Sequence, residues 1–252
     1  MTNVKRLIIL DLNGFLIHRV FKDEYAKSKH LLQQHYRLKN LDEPKRKGNF
    51  AVWLRPHTET FLPWLMDNFH VAIWSSVLRR NLEPIIEELF QRQHSRDRLL
   101  FFWDQEKCWT EENPDETDPK KRQSFYKRLS SVWDSAEIEE RWLIGQPEDS
   151  DIKDHTLLID DNKLKVRDNP VNTAIHPRSW KLFEVYDAYH GIRIFKDDVL
   201  SENGPLRRWL EGLREWSGTV TEYVERNPYN DPPLEEIEIE VENNDSWASS
   251  WN

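Results

Sequence analysis

Cysteine is almost missing from this chain. Cys108 is the one thiol in 252 residues, so no disulfide can close within it. Such a chain suits a reducing compartment and relies on an ordinary hydrophobic core, which 252 residues are enough to bury. Apolar runs of membrane-spanning length, about 20 residues, are missing too. So is an excess of positive charge: 36 Lys and Arg face 45 Asp and Glu, for a net charge of −9. That excludes a nucleic-acid binder relying on bulk cationic charge. No His falls at metal-ligand spacing with the cysteine, and His155 and His176 read as structural. Internal repeats are absent. The first apolar strand starts within a few residues of Met1, which leaves no room for a signal or transit peptide before it, so cytosol or nucleus is expected.

Three short apolar runs are present, and each ends in polar residues. Arg6 to His18 reads RLIILDLNGFLIH, with the run stopping at Asp11. FHVAIWSS ends in Ser75 and Ser76, and HTLLIDD ends in Asp160 and Asp161. Runs of this length bounded by turn residues read as buried parallel strands. In open α/β sheets, ligands bind at the carboxyl ends of such strands. The plain alternative for Asp11 is a strand ending in an Asx turn. Gathered on one edge, these residues have the chemistry that a phosphate and a divalent cation need. One carboxylate can attack, hydroxyls and amides can hold phosphoryl oxygens, and further carboxylates can hold Mg²⁺. Lys127 is a candidate for the balancing cation, with Lys120 and Lys121 competing for that place and a solvated helix lysine as the plain reading.

The sequence resembles the haloacid dehalogenase (HAD) superfamily, and within it the small CTD-phosphatase-like, NLI-interacting-factor-like branch. DLNGFL at Asp11 to Leu16 is similar to the family's DLDxTL. RPHTETFLPWL at Arg55 to Leu65 is similar to its RPxxxxFL segment. WSSVLRRNLEPII at Trp74 to Ile86 resembles its second motif and the helix that follows. IDDNKLKVRDNPVNTAI at Ile159 to Ile175 resembles its IDDSP ending, and YKRLSSVW at Tyr126 to Trp133 resembles the stretch carrying its lysine. The resemblance implies an α/β fold, a mainly parallel sheet with helices on both faces and small insertions near the site. It implies Asp11 as nucleophile, Ser75 holding a phosphoryl oxygen and Lys127 neutralising charge. It also implies Mg²⁺ held by Asp11, Asp160 and the main chain of Asn13, with Asp161 and Asn162 orienting that shell. A phosphoprotein is the implied partner.

Two positions depart from the family pattern. The second acid, which protonates the leaving group and activates water, is Asn13 here. A carboxamide exchanges no proton near neutral pH, and losing a general acid–base costs roughly 10²- to 10⁴-fold in rate. The family's loop-bracing threonine is Phe15. The expected function is therefore a Mg²⁺-dependent phosphatase-like domain with impaired turnover. The alternatives are a non-catalytic pseudophosphatase that holds a partner, and a hydrolase of a different small molecule.

One domain is expected over residues 1–226, with insertions at about 21–48 and 104–122. Thr58 is expected as a helix N-cap. Ser124 to Trp133 is expected as a short helix presenting Lys127, and Pro205 as the first residue of a helix. Residues 227–252 carry seven acids and no Lys or Arg beyond Pro228. They read as an acidic, flexible tail. Trp247 and Trp251 within it are either inert or a docking motif for a protein partner, and IEIEV at Ile237 to Val241 is a competing strand signal.

Overall fold

The computed structural model describes residues 4–27, 29, 43–90, 95–112, 117, 123–187, 191–233 and 235–236. Its centre is a five-stranded parallel sheet. The strands are β1 (Leu7–Leu10), β5 (His70–Trp74), β6 (Leu99–Trp103), β9 (Thr156–Ile159) and β10 (Ala174–Ile175), in the order β10-β9-β1-β5-β6. Both faces of the sheet are covered, so apart from His70 and Thr156 at strand starts its strands are apolar at consecutive rather than alternate positions. The alternation instead divides each strand between two cores. Ile8, Leu10, Val71, Ile73, Leu157 and Ile159 face one, and Leu7, Ile9, Ala72, Trp74 and Leu158 face the other.

Helices α1 (Thr58–Asn68), α2 (Arg79–Phe90) and α5 (Pro205–Glu215) pack into the first core, joined by Val220, Tyr223 and Val224 near the C-terminal end of the described chain. Leu206, Leu210 and Leu213 of α5 lie at helical spacing and are fully buried, and Pro205 opens that helix as expected. The short helices α3 (Ser130–Trp133) and α4 (Ala136–Leu143) cover the second face through Val132, Ile138 and Trp142. A last helix, α6 (Val220–Arg226), begins at Thr219 with a reciprocal capping box to Glu222. No helix among the described residues is long and apolar enough to cross a membrane.

The antiparallel pieces lie outside the central sheet. β2 (Ile17–Phe21), β3 (Lys45–Lys47) and β4 (Phe50–Leu54) form a three-stranded sheet in the order β2-β4-β3. β7 (Trp109–Glu112) pairs with β8 (Gln123–Tyr126). β11 (Glu184–Asp187) pairs with β12 (Gly191–Arg193), in a stretch whose sequence gives no clear element. The short β13 (Phe195–Lys196) pairs with β14 (Glu235–Glu236).

The N-terminal end of β1 is tied to the C-terminal helices by Arg6. This side chain is 2% exposed, and its guanidinium donates to the carbonyls of Arg214, Trp216 and Gly218. The last turn of a helix leaves carbonyls without intrahelical partners, and a buried arginine can satisfy several at once.

Two local expectations are corrected. Thr58 is not an N-cap. His57 holds that place with φ 66°, and the Thr58 hydroxyl donates back to the Arg55 carbonyl at 2.8 Å. Lys127 is not on a helix. Residues 123–126 are strand, paired across the hairpin with β7, where the Trp109 and Tyr126 rings sit 5.9 Å apart, and the helix starts at Ser130. Cross-strand pairing outweighs the helical spacing of the apolar residues. Residues 30–42 and 237–252, which hold much of the first insertion and most of the tail including Trp247 and Trp251, lie outside the described residues.

Candidate active site

The parallel register builds the site. Leu10 lies level with Ile73 on one side and Ile159 on the other. The next residues, Asp11 and Asp160, therefore leave neighbouring strands at the same height. Ser75 lies just past the end of β5, buried, with its amide donating to the Trp103 carbonyl at 2.9 Å. Asp11, Asp160 and Asp161 each offer a carboxylate oxygen within 4.8 Å of the others.

Lys127 joins them from outside the sheet. Its Nζ donates to Asp11 Oδ1 and to Asp160 Oδ2, both at 2.6 Å, and all three side chains are at most 1% exposed. Burial pushes the Lys127 ammonium down, but the two carboxylates outweigh it and its pKa is raised. Burial likewise raises Asp160, yet Lys127, Lys165 and the Asn162 amide together hold it below the usual carboxylate range. Asp161 goes the other way. Burial and then the Asp11 charge push it up to about 6, with the Ser179 hydroxyl and Lys165 pulling back.

The loop that places Lys127 is held at its backbone. The Lys127 amide donates to the Lys165 carbonyl at 2.7 Å. Asn169 spans the loop, its Nδ2 donating to the Lys127 carbonyl and its Oδ1 accepting from the Leu129 amide, each at 2.7 Å. Lys165 and Asn169 were not singled out from the sequence. Asn169 belongs to the NP pair of a quoted motif, and that was the available signal.

The loop after β1 is tightly packed. Gly14 has φ +88°, and a Cβ there would collide with the Asp161 carboxylate and the Ser179 hydroxyl. A left-handed φ and a close approach together require glycine. Phe15, at the place of a loop-bracing hydroxyl, is fully buried in the core and so packs beneath the loop rather than crowding the pocket. Bracing comes from elsewhere. The Trp180 amide donates to the Gly14 carbonyl at 2.7 Å, and Arg55 Nη1 donates to the Phe15 carbonyl at 3.1 Å. Arg55 also forks onto Asp197 at 2.9 and 2.8 Å, a bidentate pair that fixes its plane. The sequence marked Arg55 without a role. His57 next to it is exposed, 3.5 Å from Asp198.

The oxygens without partners bear on a metal. Asp11 Oδ2, Asn13 Oδ1 and Asp161 Oδ1 are buried and make no hydrogen bond. Leaving such groups unsatisfied is costly, and hard oxygen donors are what Mg²⁺ takes. Asp160 is better satisfied. Its Oδ2 is taken by Lys127 and its Oδ1 accepts from the Asn162 amide at 2.9 Å.

The sequence profile of the NLI interacting factor-like phosphatases matches residues 6–197. A Schizosaccharomyces pombe protein described as an uncharacterised FCP1 homology domain-containing protein is 25% identical over 173 residues, which is 68% of this chain and 60% of that one. The chain thus spans about three fifths of that relative's length. Among solved structures, the fission yeast RNA polymerase II CTD phosphatase Fcp1 bound to beryllium fluoride gives a TM-score of 0.44 at 10% identity, covering 71% of this chain and 42% of that one. A second structure of Fcp1, described as an essential RNA polymerase II CTD phosphatase, gives 0.45 at 11% identity, covering 90% and 55%. With its parallel sheet, its strand-end acids and a profile match over most of its length, the chain belongs to the NLI interacting factor-like phosphatase family of HAD proteins.

Proposed function

We propose that this domain binds Mg²⁺ and a phosphorylated protein, and that it forms an aspartyl-phosphate on Asp11 but turns it over slowly. The observation that carries this is the pairing of a poised carboxylate with a missing acid. Lys127 holds Asp11 Oδ1 and leaves Oδ2 buried and without a hydrogen bond, while position 13 carries an amide. Asp161 and Asn13 would hold the metal together with Asp11 through Oδ1, leaving Asp11 Oδ2 for attack, and Asp161 is preferred to Asp160 because its Oδ1 has no other partner. When bound, Mg²⁺ supplies positive charge against the phosphoryl oxygens.

The residues divide the work as follows. Asp11 Oδ2 attacks phosphorus, and the bond from phosphorus to the leaving oxygen breaks. Lys127 balances the charge between Asp11 and the phosphoryl group, and Ser75 holds one of its oxygens. The departing oxygen then needs a proton, and the water that cleaves the acyl phosphate must lose one. Asn13 can do neither. Both steps slow, and the second slows more when the leaving group is a good one. The phosphoprotein class is what membership of the NLI interacting factor-like phosphatase family suggests. The competing reading is a pseudophosphatase that binds the same ligand and never reacts, favoured by the same Asn13.

An aryl phosphate assay with Mg²⁺, read together with intact-protein mass, separates them. Slow turnover with a phosphate adduct that vanishes in Asp11→Asn is expected. Asn13→Asp should raise the rate by about 10²-fold. No adduct in the wild type and no gain in Asn13→Asp, or in Asn13→Asp combined with Phe15→Thr, would leave the binding module. A wild-type rate already in the ordinary range of about 1–10³ s⁻¹ would sink the impaired-enzyme reading.

A further inference from the structure

A second lysine reaches the acid cluster. Lys165 lies on a one-turn 3-10 helix (Lys163–Val166), whose start is capped by the Asn162 carboxamide accepting from the Leu164 amide at 3.0 Å. Its backbone is fixed on both sides. The Lys165 amide donates to the Asn162 carbonyl at 3.0 Å, and its carbonyl takes the Lys127 amide. From that anchored base the ammonium comes 3.6 Å from Asp11 Oδ2 and 3.9 Å from Asp160 Oδ1. Lys127 holds the opposite oxygen of each carboxylate. The two lysines therefore bracket the pair, Lys127 fully buried behind it and Lys165 21% exposed at the solvent side. The outer separations exceed hydrogen-bond length, so the three donors of Lys165 are not committed to these acids.

We propose that Lys165 is the outer phosphoryl-binding cation of this site, taking a non-bridging oxygen of the phosphate on the solvent side while Lys127 serves it from behind. The inference rests on the phosphoryl-site reading above. A phosphorus at near-attack distance, about 3–3.5 Å from Asp11 Oδ2, carries non-bridging oxygens into reach of an ammonium 3.6 Å from that same oxygen. The same ammonium repels a divalent cation approaching Asp11. Removing it must therefore act in opposite directions on anion and metal, which a purely structural lysine would not do.

The test uses the full chain and two titrations by calorimetry: Mg²⁺ alone, and tungstate, a tetrahedral dianion, at saturating Mg²⁺. Lys165→Gln should weaken tungstate about tenfold, the scale of one charged hydrogen bond, while Mg²⁺ affinity rises. Lys165→Arg should keep tungstate within a few-fold of wild type. Unchanged tungstate affinity in Lys165→Gln overturns the inference. So does a parallel fall of tungstate and Mg²⁺, whether or not thermal stability falls with them, because that reports a disturbed fold. Wild-type protein that binds neither probe overturns the phosphoryl-site reading itself, and this inference with it.

Discussion

Arg55 is buried between two acceptors of different kinds, the Asp197 carboxylate and the Phe15 carbonyl. Its side chain is 2% exposed and that of Asp197 is 11% exposed, so neither charge is well hydrated without the other. Breaking a buried pair from one side costs about 3–5 kcal/mol. Arg55→Met is expected near the lower end, because Asp197 keeps some water, and urea unfolding measures it. Arg55→Met with Asp197→Leu should recover part of the loss. His18 sets a pH response. Burial, and then Lys181, lower its pKa to about 4. Its Nδ1 accepts from the Leu182 amide at 3.1 Å, which a proton there would prevent, and its ring stacks on Trp53 at 5.5 Å. The unfolded value is about 6.5. Above that both states are neutral; as pH falls toward 4 the unfolded chain takes the proton first. Stability should therefore fall between about pH 6.5 and 4. His70, also lowered to about 4 by burial, adds to the effect. Comparing urea midpoints at pH 7 and pH 5 checks this, and His18→Gln should shrink the difference.

The Lys127 loop shows what one element can do for another. Lys127 is held through hydrogen bonds to its backbone, while its side chain does the electrostatic work. Asn169→Ala removes one of these bonds, to the Lys127 carbonyl, together with the bond to the Leu129 amide, and leaves a carbonyl and an amide to find water. A loss of about 1–3 kcal/mol is expected. If the loop then drifts, Mg²⁺ affinity and any adduct on Asp11 should change, although Asn169 touches neither. The core elements were legible in the sequence because the apolar periodicity that marks them is also the force that forms them. This holds for β1, β5, β6 and β9, and for α5 with its opening proline. The β7–β8 hairpin was not legible, because its register depends on Trp109 meeting Tyr126 across a connection. The acids of the site could be read as a group because strand ends gather them. Lys165 and Asn169 could not, since their positions come from a loop folding back on another loop. Arg55 could be noticed, but its partner Asp197 lies 142 residues away.

At the scale of the whole molecule, residues beyond Arg226 first return to the body. Tyr229 packs on Trp209, with ring centroids 6.1 Å apart, and Asp231 accepts from the Arg178 amide. Cutting the chain after Glu236 keeps both of these contacts. Cutting before Pro228 should lower the melting temperature, because Trp209 and Arg178 lose partners. Thermal scans of the two truncations decide where any free tail begins. The profile match ends at residue 197, but the foldable unit does not. A fragment stopping there would discard Leu206, Leu210 and Leu213 from the first core and expose the sheet face they cover. It would also leave the Arg6 guanidinium buried at the foot of β1, the strand that carries Asp11, without the three carbonyls it donates to. Anyone trimming a gene of this kind to its recognised motif would thus keep every residue of the reaction centre and still recover an insoluble product.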